Sequence, residues 1–164
     1  MNNTATLPRP EVVAYVALGA NLGDAQQAVR DAFTALDQLP NTRLVKTSSL
    51  YRTAPVDSSG PDYINAVAEM ATQLSAPGLL NALQRIELAA GRERPYINAP
   101  RTLDLDLLLY GSASMDSPML TVPHPRMWQR AFVLVPLAEV APELVSAEAL
   151  SAVAGQGVSI SLAA

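Results

Sequence analysis

The segment Thr102-Leu103-Asp104-Leu105-Asp106-Leu107-Leu108-Leu109 constrains the fold more than any other stretch of the chain. Its alternation has the period of a β-strand, in which successive side chains point to opposite faces. Leu103, Leu105, Leu107 and Leu109 then share one face, and Thr102, Asp104 and Asp106 the other. A face made only of leucine has to be core, so this strand belongs to a covered sheet. The opposite face carries two carboxylates whose Cα atoms sit about 7 Å apart by strand rise. Three readings are open. A hard divalent cation, magnesium above all, relieves such repulsion when phosphates complete its shell. Arg101 is an alternative counter-charge, or the face is open to solvent and simply carries two acids.

The remaining elements follow from periodicity and caps. Val12 to Leu18 is a short apolar run ended by Gly19, long enough for a buried central strand. Asp24 can cap a helix in which Ala25, Ala28, Val29, Ala32, Phe33, Leu36 and Leu39 recur at helical spacing until Pro40. Leu44 to Tyr51 reads as a second strand, Ala54 to Pro61 as a loop, and Tyr63 to Leu74 as a third strand. Ser75 and Pro77 open a helix that runs through Leu83 and Ile86 to Gly91. Residues 92–100 read as an irregular loop, and Thr102 to Tyr110 is the fourth strand. The order β-α-β-β-α-β is the split unit of ferredoxin-like α+β folds, with a mostly antiparallel sheet and helices packed on it. The proline-rich remainder predicts a helix near Trp128 to Val140 and a short strand at Val158 to Leu162. One domain over residues 1–164 is expected, with 1–10 as a flexible tail.

Composition narrows the chemistry. The 164 residues are 49% hydrophobic, with no cysteine and one histidine. Thiol nucleophiles, thiolate metal sites and multi-histidine zinc centres are therefore excluded. No uninterrupted apolar run of about 18 residues is present, so no membrane-spanning helix is expected. The N-terminus has neither the basic start nor the apolar block of a signal peptide, and a cytoplasmic monomer is expected. A net charge of −4 argues against a general nucleic-acid binder, an RNA-binding ferredoxin-like domain included. The charges are unevenly spread: Arg85 to Arg130 holds six arginines against five acids, and the rest of the chain five bases against ten acids. Arginine's planar fork suits phosphate, and the cluster points to a small anionic ligand.

Arg92, Arg94 and Arg101 bracket the loop that leads into the carboxylate strand, and Gln84 and Glu87 share a face of the helix before it. Carboxylates, arginines and an irregular loop are the parts of a phosphoryl-transfer site. Gly19-Ala20-Asn21-Leu22-Gly23 lacks the lysine of a Walker A loop and reads as a strand-to-helix turn. Tyr63 and Asn65 share a strand face, where a ring and a carboxamide can hold a flat heterocycle, or serve as core and loop-end residues. Phe132 is a second stacking wall or core. His124, between Pro123 and Pro125 and near Arg126 and Arg130, suits a neutral imidazole donating to phosphate, or a surface residue.

Pro100-Arg101-Thr102-Leu103-Asp104-Leu105-Asp106-Leu107 closely resembles the central motif of the 6-hydroxymethyl-7,8-dihydropterin pyrophosphokinase family of folate biosynthesis. Gly19 to Gly23, Ser48 to Thr53, Pro61 to Asn65, Gln84 to Glu87 and Thr121 to His124 resemble further family stretches in the same order. The resemblance runs from about Val12 to Leu144 and implies a ferredoxin-like sandwich. It also implies that a pterin hydroxymethyl oxygen attacks the β-phosphorus of ATP and AMP leaves. Asp104 and Asp106 would hold two magnesium ions, with Asp104 also orienting the hydroxyl. Arg92 and Arg101 match the catalytic arginines. Gln84, Glu87, Arg92, Arg94, Arg101, Leu107, Thr121, His124 and Arg130 match ATP-site positions. The pterin would stack between Tyr63 and Phe132, with Asn65 and the backbone of Thr53 and Val56 reading its edge. Ile97 stands where the family usually carries a basic residue, so a non-catalytic nucleotide- or pterin-binding module is the competing expectation.

Overall fold

The computed structural model of the protein describes residues 9–54, 60–91 and 103–161. The order is β1 (Val12–Ala20), α1 (Ala25–Asp37), β2 (Thr42–Thr47), β3 (Tyr51–Thr53), β4 (Tyr63–Thr72), α2 (Ala76–Ala90), β5 (Asp104–Tyr110), β6 (Met115–Asp116), β7 (Thr121–Val122), α3 (Ala131–Val140), α4 (Ala147–Ala152) and β8 (Val158–Ile160). The main sheet runs β5-β1-β4-β3-β8, with β2 also paired to β4, and β6 and β7 form a separate hairpin. Every pairing is antiparallel. This is the expected ferredoxin-like order, in which the apolar β1 of the first half lies between β4 and β5, the two strands of the second half.

Alternation divides the sheet into two faces. Ala14, Val16 and Leu18 of β1 and Ile64, Ala66, Ala68 and Met70 of β4 pack with Val29, Ala32 and Leu36 of α1 and Leu79 and Leu83 of α2. On the other face Tyr15, Val67 and Leu108 pack against Leu134, Leu137 and Val140 of α3. Both long helices carry the predicted caps. The Asp24 carboxylate accepts the Gln27 N–H and the Ser75 hydroxyl oxygen accepts the Gly78 N–H, each at 3.1 Å. α1 ends at Asp37 rather than Leu39.

Several sequence expectations change. The predicted strand Leu44–Tyr51 is two strands, because Ser48 pairs with Val67 through its side chain. Its N–H donates to the Val67 carbonyl and its hydroxyl oxygen accepts the Val67 N–H, both at 2.9 Å. The fourth strand carries an irregularity that the leucine run conceals. Tyr15 pairs with Leu109 but Val16 with Leu107, so Leu108 is an extra residue, as in a β-bulge. Leu103, Leu105 and Leu107 lie in the helix-covered core as expected, whereas Leu109 joins Leu108 on the α3 side. The helix expected from Trp128 begins at Ala131, after a 3-10 turn at Met127–Gln129. α4 and the β6–β7 hairpin are additional.

Candidate active site

α3 covers only part of its sheet face, and the uncovered part floors a cavity of about 900 Å³. Its opening follows from side-chain size along β1. Tyr15, under α3, is followed on the same face by Ala17 and Gly19, which leave the floor low. On either side of Gly19 the register sets Asp104 of β5 and Asn65 of β4. Ala17 pairs with Asp106 in the same way. The carboxylate pair and the Asn65 amide are therefore two strands apart, about 10 Å across the sheet.

The cavity brings together Thr53, Tyr63, Asn65, Asp104, Asp106, Arg130 and Phe132 of the residues expected from sequence. Asn65 is 5% exposed, and its Nδ2 donates to Thr53 Oγ1 at 2.8 Å, which fixes the amide's orientation. The Arg130 guanidinium lies 5.4 Å from the centre of the Phe132 ring, a cation–π contact on the wall facing the sheet.

Other expected residues stand around β5 rather than on the cavity wall. Glu87 accepts the Leu105 N–H at 2.7 Å and so ties the end of α2 to the carboxylate strand. The Leu107 side chain, 3% exposed, is in the core on the opposite face, so only its backbone can meet a ligand. Thr121 in the hairpin donates to Asp116 at 3.3 Å. Gln84 is exposed on α2. The His124 N–H donates to the Leu108 carbonyl at 2.9 Å, which holds the histidine against the irregular end of β5. Val56, Arg92, Arg94 and Arg101 lie outside the described residues.

The electrostatics of His124 suit a donor. Burial lowers the imidazole's pKa, and Arg130 and Arg126 lower it further against the opposing charge of Asp106. Its Nδ1 accepts the Arg126 N–H at 3.2 Å, so in the neutral ring the proton sits on Nε2.

Asp104 and Asp106 offer hard oxygen donors from one strand face. No group of three or more ligating side chains occurs among the described residues. A pair of carboxylates on one strand face fits magnesium, which keeps several waters and takes one or two carboxylates together with phosphate oxygens. Sequence reasoning missed Ala17, Gly19, Ala54, Gln129, Gln156 and Val158, which also line the cavity. The small-residue alternation in β1 signals the first two; no sequence pattern signals Gln156.

Residues 15–142 match the model of the family described as 7,8-dihydro-6-hydroxymethylpterin-pyrophosphokinase (HPPK). The chain is 48% identical over 135 residues to the 2-amino-4-hydroxy-6-hydroxymethyldihydropteridine pyrophosphokinase of Haemophilus influenzae, covering 82% of this chain and 84% of that protein. It is 49% identical over 131 residues to the protein of the same name from Pseudomonas aeruginosa, covering 79% and 81% respectively. Among solved structures, the Plasmodium falciparum HPPK-DHPS triple mutant with STZ-DHP matches with a TM-score of 0.67 at 12% identity. That likeness concerns the fold, and it covers 84% of this chain but 41% of the longer Plasmodium chain.

Proposed function

The chain belongs to the 7,8-dihydro-6-hydroxymethylpterin-pyrophosphokinase family of folate synthesis, and on that premise we propose how its residues divide the work of pyrophosphoryl transfer. The substrates are ATP and 6-hydroxymethyl-7,8-dihydropterin. The hydroxymethyl oxygen bonds to the β-phosphorus, the bond from that phosphorus to the oxygen of the α-phosphate breaks, and AMP leaves. The hydroxyl proton passes to solvent.

The observation that supports this most is the row Asp104–Gly19–Asn65 across the sheet. A carboxylate and a buried carboxamide about 10 Å apart in one cavity support a reading with phosphate at one end and a heterocycle at the other. Tyr63 and Phe132 hold the pterin ring between them, and Asn65, with the backbone of Thr53 and Val56, reads its edge. Arg92 and Arg101 stabilise charge on the transferring group. Arg94, Arg130, Gln84, Glu87, Thr121, His124 and the Leu107 backbone bind the nucleotide, with His124 Nε2–H as a neutral donor. Asp104 and Asp106 hold two magnesium ions, which when bound neutralise the triphosphate and make its β-phosphorus more electrophilic. Asp104 also orients the hydroxyl for attack. Positioning and charge neutralisation then carry most of the catalysis.

The chain works as a single-domain cytoplasmic monomer with no nucleic-acid partner; its acidic net charge supports the last point. No helix among the described residues is long and apolar enough to cross a membrane. Replacing Asp106 tests the assignment of the metal. The exposed Asp106→Ala change leaves the far-UV circular dichroism unchanged and abolishes magnesium-dependent turnover. Near-normal rates contradict the carboxylate pair as the metal site.

A further inference from the structure

α3 starts without a local cap. Arg130 precedes it and supplies no side-chain hydrogen bond to the helix, yet the first N–H groups of a helix need partners from outside it. The partner of Ala131 comes from 25 residues further along the chain. Gln156 Oε1 accepts the Ala131 N–H at 2.9 Å. The same amide's Nε2 donates to the Gln129 carbonyl at 2.9 Å. Gln129 and Ala131 flank Arg130, so one side chain grips the backbone on both sides of that arginine, two residues before Phe132.

Gln156 is itself anchored. Gly157 adopts a φ of 71°, a conformation that favours glycine, and turns the chain into β8. There Val158 pairs with Thr53 on β3. The segment is held at its far end by the Ser161 N–H, which donates to the Leu50 carbonyl at 2.8 Å. Gln156 and Val158 both line the cavity. A single short segment outside the family-matched residues 15–142 thus links the Phe132 wall to the β3 side of the site.

We propose that Gln156 is a positioning residue that fixes the start of α3, and so sets the gap between Phe132 and Tyr63 that admits a flat pterin ring. The role in substrate binding rests on the functional reading above; the grip on α3 does not. It acts through Gln129 and Ala131 and takes no part in the chemistry.

The test uses the full chain and its single tryptophan, Trp128, which is 43% exposed in the gripped turn. Acrylamide quenching of Trp128 is measured in the ligand-free protein, and KM for the pterin and kcat in the turnover assay. Loss of two hydrogen bonds in Gln156→Ala raises quenching about twofold and pterin KM about tenfold, with kcat within about threefold. Gln156→Glu keeps an oxygen for the Ala131 N–H and falls between; it carries the same test if Gln156→Ala does not fold. Val153→Ala, a buried change in the same segment, lowers Tm while leaving quenching and KM near normal. Unchanged quenching in the Gln156 variants overturns the grip, and an equal KM rise in Val153→Ala reduces it to general packing. A wild-type chain without pterin-dependent turnover contradicts the functional reading instead, and the quenching comparison still decides whether Gln156 holds α3.

Discussion

Asn65 Oδ1 stands 3.1 Å from the point that a Cβ on Gly19 would occupy, so the glycine of β1 leaves the room in which the β4 carboxamide lies. The opposite end of that amide is fixed on Thr53. The placement of the Asn65 amide therefore depends on an absent side chain as much as on its own hydrogen bond.

Gly19→Ala tests that dependence. The backbone at Gly19 is outside the left-handed region, so the substitution costs contact and not strain. Asn65 must give by a few tenths of an ångström. Pterin KM rises by about fivefold while kcat changes less, the pattern of lost uniform binding. Steady-state kinetics at saturating ATP check it, and an unchanged KM contradicts the crowding.

Thr53→Val removes the acceptor and keeps the shape. Asn65 Nδ2 is then left buried without that partner, which costs about 1–3 kcal/mol of stability. Urea unfolding at neutral pH measures the loss. A variant as stable as the parent means that the amide finds another acceptor.

Glu139 gives the fold a pH dependence. Burial pushes its carboxyl up, but the Tyr51 hydroxyl at 2.6 Å and the Ser49 N–H and hydroxyl at 2.9 Å outweigh this and hold it below its ordinary 4.5. A carboxyl depressed on folding stabilises above its unfolded pKa, and that contribution is lost as pH falls through the folded value. Glu139→Gln is less stable than the parent at pH 7, and the difference narrows below 4.5. Unfolding curves at the two pH values test this; a difference that stays constant contradicts it.

The single histidine makes its own tautomer measurable. Long-range proton–nitrogen spectra of the ligand-free chain show His124 Nε2 protonated and Nδ1 bare at neutral pH. The ring titrates below 6.5, because burial and two arginines disfavour its charged form. A midpoint above 6.5 means that Asp106 dominates its surroundings.

Much of the framework is legible locally. A continuous apolar run marks β1, period-two alternation marks β4 and β5, and Asp24 and Ser75 mark the helix starts, because these signals sit within a few residues of one another. The break at Ser48 is different. It arises from two hydrogen bonds to Val67, 19 residues away, and nothing in the serine's neighbourhood announces them. Leu109 is misplaced for another reason: in a run of identical leucines an inserted residue leaves no trace in the pattern. Within the site, Asp104, Asp106, Tyr63 and Asn65 carry recognisable chemistry at strand spacing. Gln156 does not, since its role exists only once the chain folds back onto α3.

The most direct test of the account is AMP release from ATP, with magnesium, in the presence and absence of 6-hydroxymethyl-7,8-dihydropterin. The account predicts AMP formed only with the pterin, in step with a diphosphorylated pterin product. ADP as the nucleotide product, or no turnover although both ligands bind, would contradict it.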